Sequence, residues 1–235
     1  MNYLVTGATG LIGRFLVQRL LQREGAVVHV LVREGSEHKF EQLKLQTGGK
    51  NLKAIKGDIT SSGVISPAAL KRLKGKVNHL YHLAAVYDMA MSDEQGDRIN
   101  NEGTRNVIQL AAALGGDVRF HHVSSVAVAG NGFVGRFTES MFDEGQTVSH
   151  PYYRTKFQSE KIVREECSVP WRVYRPGMVV GDSQTGEMDK VDGPYYFFKL
   201  VQQLRDGFPK WFPFAMLAGG NLPLAPVASV VAAMA

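Results

Sequence analysis

Apolar positions along the chain fall alternately into short β-branched runs and helical stripes. Tyr3–Thr6 is apolar and ends in glycine turn chemistry; Leu11–Leu21 then carries Leu11, Ile12, Phe15, Leu16, Leu20 and Leu21 at helical spacing. Gly25 closes that helix. Val27–Val32 is nearly continuous in apolar residues, as a strand buried on both faces requires. Leu52–Ile55, Val77–Leu83, Val118–Val123 and Trp171–Tyr174 read as further strands, and Ala68–Leu73, Ile99–Leu114 and Tyr152–Glu166 as helices. Strand and helix in alternation predict an α/β architecture: a doubly wound parallel sheet with helices on both faces. There is no internal repeat and no low-complexity tract.

The Gly- and Asp-rich stretch from Gly181 to Gly193 is the nearest thing to a boundary, and the chain's character changes after it. Tyr195–Leu200 and Phe208–Phe214 are aromatic, suited to lining an apolar pocket or equally to a core or an interface. The expected division is therefore 1–182 for the sheet domain and 183–235 for a small, incomplete substrate-binding portion. The apolar stretch Val227–Ala235 has no cap and no terminal charge, so the chain is expected to be part of a longer polypeptide.

Composition narrows the chemistry. The 235 residues are 44% hydrophobic and 21% charged, which excludes disorder. One cysteine excludes a disulfide framework or a cysteine-cluster metal site. No apolar run reaches the roughly 18 residues of a membrane span, and Met1–Thr6 lacks the basic region of a signal peptide. A reduced, cytoplasmic setting is the expectation. Lys and Arg number 27 against 22 Asp and Glu, a net charge of +5. Much of the excess lies between Lys39 and Lys76, as a solvated face or toward a phosphate-bearing ligand. Aromatics do not interleave with these cations, which argues against nucleic acid.

Thr6-Gly7-Ala8-Thr9-Gly10-Leu11-Ile12-Gly13 is a G-x-x-G-x-x-G between a strand and a helix. Its glycines permit a tight turn, close approach of a pyrophosphate and close helix packing, while the helix N-terminus supplies free N–H groups. In this setting the motif predicts a Rossmann-type dinucleotide site including Gly7, Thr9, Gly10, Leu11, Ile12 and Gly13. The second strand ends Leu31-Val32-Arg33 rather than in a carboxylate, and Arg14 follows the third glycine. Two guanidinium groups suit the 2′-phosphate of NADP(H) over the free hydroxyl of NAD. Tyr152 and Lys156 stand four apart on one helix face, where an ammonium can lower a phenol's pKa. Tyr153 is set aside because Phe157 takes its fourth place. Ser124 and Ser125 end an apolar strand, where ligands bind in open α/β sheets.

Taken in order, these pieces resemble the extended short-chain dehydrogenase/reductase superfamily. Further carriers are Gly57-Asp58-Ile59, His82-Leu83-Ala84-Ala85, Asn100-x-x-Gly103-Thr104 and Arg175-Pro176-Gly177. The resemblance implies Tyr152 as proton donor and Lys156 on the nicotinamide ribose. It implies Ser125, five before Gly130, on the substrate oxygen, and Asn100 near the active site. Asp58 and Ile59 would contact adenine, and Ala84, Ala85, Pro176, Gly177 and Met178 would line the cofactor. Within the superfamily the chain is similar to fatty acyl-CoA reductases and thioester reductase domains, through His150-Pro151-Tyr152, Tyr174–Gly186 and Met188–Tyr196. It departs from them at Val227-Ala228, where relatives usually carry Val-Asp.

The implied function is NADPH-dependent reduction of an acyl-CoA or acyl-carrier thioester, with the aldehyde or, after a second hydride, the alcohol as product, and with peripheral lipid contact compatible. The alternatives are a dehydrogenase or epimerase acting on a sterol, flavonoid or nucleotide sugar, or an idle NADP-binding module. No metal site is expected: His121 and His122 are strand neighbours that point to opposite faces, and His79 and His82 read as structural. Cys167 is expected to be inert.

Overall fold

The computed structural model describes residues 1–86, 92–131, 133–188, 195, 202–203, 205–207 and 223–235. Apart from Met188 and Tyr195, the expectations for Met188–Leu200 and Phe208–Phe214 lie outside these residues. Strands β1 (Asn2–Thr6), β2 (Val27–Val32), β3 (Leu52–Lys56), β4 (His79–His82), β5 (Arg119–Val123) and β6 (Trp171–Tyr174) form one sheet. All neighbours in it are parallel, in the order β3-β2-β1-β4-β5-β6. The order reverses between β1 and β4, the switch point at whose carboxyl ends ligands bind in open α/β sheets.

Alternating side chains send each strand's residues to two cores. Tyr3, Val5, Val28 and Val30 pack with α1 (Leu11–Leu21) and with Phe40 and Leu43 of α2 (Glu37–Gln46). Leu4, Leu80 and Phe120 face α3 (Pro67–Leu73), α5 (Gly103–Leu114) and α6 (Pro151–Glu166). Local chemistry sets the helix starts. Ser66 accepts a hydrogen bond from Ala69 N–H at 3.2 Å with Pro67 as first helical residue. His150 Nδ1 accepts from Tyr152 N–H at 3.2 Å ahead of Pro151, so α6 starts where its catalytic candidate stands.

The structure differs from the sequence reading in three elements. Helix α2 lies inside the basic stretch and buries only Phe40 and Leu43, too thin a stripe to read as periodicity. The expected helix Ile99–Leu114 begins earlier, with the short α4 (Asp93–Gly96) and a π-helical turn over Asp97–Glu102 leading into α5. Beyond β6, β7 (Met178–Val180) pairs in parallel with β8 (Leu224–Pro226). Helix α7 (Val227–Met234) then returns to the α1 face, where Val227, Val231 and Met234 join the same core as Leu16 and Leu20. Tyr81 and Tyr174 hydroxyls donate to the Met234 carbonyl at 2.9 and 3.3 Å and secure its end.

Candidate active site

The three glycines of the first loop do different work. Gly7 sits at φ +71°, and a Cβ there would lie 2.6 Å from Ala84 N. At Gly13 a Cβ would lie 2.2 Å from the Gly7 carbonyl oxygen, so α1 can press on the loop only without a side chain. Gly10 is exposed, has φ −84°, and a Cβ there would meet only Gly7 O at 3.6 Å. Nothing among the described residues demands glycine at that point. It caps α1, whose first turn holds no acidic residue and whose leading N–H groups have no intrahelical acceptor. A bare backbone beside a helix N-terminus fits a dinucleotide pyrophosphate.

A directional chain of hydrogen bonds runs from this loop to the π turn. Thr104 Oγ1 donates to the Asn100 carbonyl at 2.6 Å, so it accepts from His82 Nε2–H at 3.1 Å. His82 Nδ1 is then the acceptor for the Thr6 hydroxyl at 2.8 Å, and Thr6 accepts from Ala84 N–H at 3.3 Å. Each hydroxyl has one proton, which settles the tautomer. His82 stays neutral, because burial and then the charge of Lys156 push its pKa down to about 3.

Asn100 carries the connection onward. Its Oδ1 accepts from Val86 N–H at 2.9 Å; its Nδ2 donates to Val86 O at 3.2 Å and to Thr155 Oγ1 at 3.1 Å. Thr155 in turn donates to the Tyr152 carbonyl at 3.0 Å. The π turn therefore straps the loop after β4 to the first turn of α6. Such turns are often found at functional sites. One residue on, Lys156 is buried and donates from Nζ to the Val123 carbonyl at 3.0 Å. Burial lowers its pKa to about 8, partly opposed by Glu160 one turn later. Val123 leads into Ser124, which is buried, and Ser125, which is half-buried and accepts from Ala127 N–H at 3.1 Å. Loop 124–126, the Asn100 strap and the Tyr152/Lys156 face thus meet at the carboxyl end of β5.

The family model for the male sterility protein, an NAD-binding family, matches residues 5–234. The chain belongs to this family. It is 28% identical over 206 residues to a linear gramicidin synthase subunit of Brevibacillus parabrevis, covering 80% of this chain and 4% of that protein. A Drosophila melanogaster protein named as a fatty acyl-CoA reductase is 29% identical over 160 residues, 60% of this chain and 31% of the other. The terminal R domain from the myxalamid PKS-NRPS pathway superposes with a TM-score of 0.82 at 25% identity, covering 99% of this chain and 61% of that one. The chain thus spans less than two thirds of each of these relatives. This male sterility family domain is an NAD(P)-binding member of the extended short-chain dehydrogenase/reductase superfamily, close to fatty acyl-CoA and thioester reductases.

The remaining site candidates of this family member fall into distinct settings. Arg33 is exposed at the end of β2 and donates from Nε to Ser36 Oγ at 3.3 Å. The Arg14 guanidinium donates to Glu187 at 2.7 Å. Asp58 Oδ1 is engaged by Thr60, through N–H at 2.8 Å and hydroxyl at 2.9 Å, and the Ile59 side chain packs on Gly103 in the core. Ala85 is exposed next to the Asn100 strap. The Pro176 carbonyl accepts from Val126 N–H at 3.1 Å, which ties Arg175-Pro176-Gly177 to the Ser125 turn. A Cβ on Gly177 would lie 2.0 Å from Pro223 O, and Met178 N–H donates to that same oxygen at 2.8 Å, so Gly177 and Met178 also serve the β7/β8 pairing.

The histidines divide between the sheet faces. His121 bonds His79 at 2.9 Å on one side, whereas His122 lies beside His82 on the other with ring centroids 5.6 Å apart. Among the described residues no group of His, Cys, Asp or Glu is arranged to hold a metal ion, and no helix is long and apolar enough to cross a membrane. Cys167 is half-buried, and burial raises its thiol pKa. Two working groups escaped the sequence reading. One is the Thr6–His82–Thr104 relay: each member stands in a motif noted in the sequence, but nothing local joins the three. The other is Glu160, fully buried, to which Arg175 donates from Nη2 at 2.6 Å and Nε at 3.0 Å while Arg164 donates at 2.8 Å. Burial alone would raise that carboxyl; the guanidinium hydrogen bonds, those of Arg175 first, outweigh it and lower its pKa. The one signal in the sequence was its spacing, a turn after Lys156.

Proposed function

We propose that this domain binds NADPH and reduces an acyl thioester, carried on coenzyme A or a carrier protein, to an aldehyde and then to an alcohol. The likeness over 99% of the chain to a terminal reductase domain is the observation that supports this reading most directly. When bound, the dinucleotide supplies hydride to the thioester carbonyl carbon. The chain's part is to hold that carbonyl and manage its charge. Ser125 and Tyr152 donate hydrogen bonds to the carbonyl oxygen as it becomes an oxyanion, the main source of rate enhancement expected in such a site. The oxyanion then re-forms the carbonyl as the C–S bond breaks, the thiolate leaves and takes a proton from water, and the aldehyde remains. In the second reduction Tyr152 gives its phenolic proton to the alkoxide. Lys156, its pKa lowered by burial to about 8 but still protonated near pH 7, stabilises the phenolate left behind. Arg14 and Arg33 grip the 2′-phosphate that distinguishes NADPH from NADH. Within residues 183–235, the stretch ahead of β8 contributes to the acyl side of the site, since α7 packs against α1.

The test follows NADPH oxidation and thiol release together, with long-chain acyl-CoA, on this chain and on the full-length protein. Equal rates of both, abolished in Tyr152→Phe with NADPH affinity kept within a few fold, are the expected outcome. NADPH binding without thiol release in either protein, but with oxidation on a ketone or sugar substrate, would overturn the thioester assignment.

A further inference from the structure

The motif Gly181-Asp182-Ser183-Gln184-Thr185-Gly186 is a stapled turn with one product: it delivers Glu187 to the cofactor loop. Asp182 Oδ1 accepts from Gln184 N–H at 3.0 Å, from Thr185 N–H at 2.9 Å and from the Thr185 hydroxyl at 3.1 Å. Asp182 N–H donates to Glu187 O at 3.0 Å, Gly186 N–H to Asp182 O at 2.9 Å, and Glu187 N–H to Thr185 Oγ1 at 3.2 Å. A Cβ on Gly181 would lie 2.8 Å from Glu187 O, so the turn closes only over glycine, and the Tyr195 hydroxyl accepts from Gly181 N–H at 2.7 Å. This framework sets Glu187 Oε1 2.7 Å from Arg14 Nη1, across 173 residues of sequence. Arg14 is only 13% exposed, whereas Glu187 is 48% exposed. The cation is built into the first turn of α1, and the carboxylate is brought to it.

We infer that Glu187 is a specificity-determining residue, which neutralises Arg14 before the cofactor binds and competes with the 2′-phosphate of NADPH for that guanidinium. The inference rests on the reading of Arg14 as a phosphate ligand. A phosphate and a carboxylate on one guanidinium repel each other, so phosphate binding must share or displace Glu187. The cofactor's phosphate affinity is thereby tied to the position of the 181–187 turn. In sequence that turn leads into the stretch to which the proposed function gives the acyl side. A substrate that shifts the turn changes the hold on NADPH, and NADPH in turn changes the position of the turn.

Dissociation constants of NADPH, NADH, 2′,5′-ADP and 5′-AMP, measured by calorimetry on the wild type, Glu187→Gln, Arg14→Gln and the double variant, test this without turnover. Glu187→Gln should tighten NADPH and 2′,5′-ADP by about tenfold and leave NADH and 5′-AMP within about twofold. In the Arg14→Gln background the same change should have less than about threefold effect, because the pair acts as a unit. Unchanged or weakened NADPH binding in Glu187→Gln overturns the competition while leaving the Arg14 assignment intact. Equal losses of NADPH and NADH in Arg14→Gln overturn the phosphate assignment itself, and the inference with it.

Discussion

At the scale of single residues, Lys156 shows how function and stability pull apart. Its folded pKa of about 8 lies below the ordinary 10.5 because the amine is buried. Between these values the unfolded chain holds a proton that the folded one has released. Stability therefore rises with pH across about 8 to 10.5, by roughly 3 kcal/mol in all, and below about 8 the fold carries the full cost of the buried charge. Lys156→Met should stabilise the protein by about 1–3 kcal/mol near pH 7, flatten that rise and remove turnover. Urea unfolding near pH 7 and near pH 10, beside an activity assay, checks all three. Tyr152, Lys156 and Ser125 could be singled out as candidates from sequence because each follows a recognisable segment in order along the chain. His82 was not, since its partners Thr6 and Thr104 lie 76 and 22 residues away and only the fold joins them. Glu187 was hidden for the same reason.

At the scale of elements, the loop between β1 and α1 separates packing from binding. Gly13→Ala places a Cβ 2.2 Å from the Gly7 carbonyl oxygen and must push α1 outward, at a cost of about 2 kcal/mol or more. Gly10→Ala meets nothing closer than 3.6 Å and should change stability by less than about 1 kcal/mol. It should instead weaken dinucleotide binding by about tenfold or more, since the methyl fills the space left for the ligand. Denaturation of both variants without cofactor, followed by cofactor titration, separates the two effects. Strands and helices with strong apolar runs could be read from sequence to within a few residues. Helix α2 could not, because two buried side chains anchor an otherwise polar segment. The π turn could not either: its extra residue per turn accompanies the Asn100 side chain's engagement of both polar groups of Val86, a contact made in three dimensions.

At the scale of the whole molecule, the sheet is loaded with neutral imidazoles. Burial, first among the causes in each case, lowers His29 to about 4, His82 and His121 to about 3, and His122 well below its ordinary value. The unfolded chain protonates all four near pH 6.5, and the fold does not. Stability is therefore lost as pH falls from about 6.5 toward about 4, with a limiting slope near four protons, roughly 5 kcal/mol per pH unit. The urea midpoint as a function of pH should show this collapse, and His122→Phe should reduce the slope by about one proton. From sequence alone came the alternation of strand and helix, the glycine loop and the Tyr152/Lys156 face, because each is written in neighbours within one or two turns of chain. Tertiary structure alone decided the neutral tautomer of His82, the strap through Asn100, the return of α7 to the α1 face and the seating of Glu187 on Arg14. Those depend on which distant groups burial brings within hydrogen-bonding distance, and burial is a property of the assembled sheet rather than of any one segment.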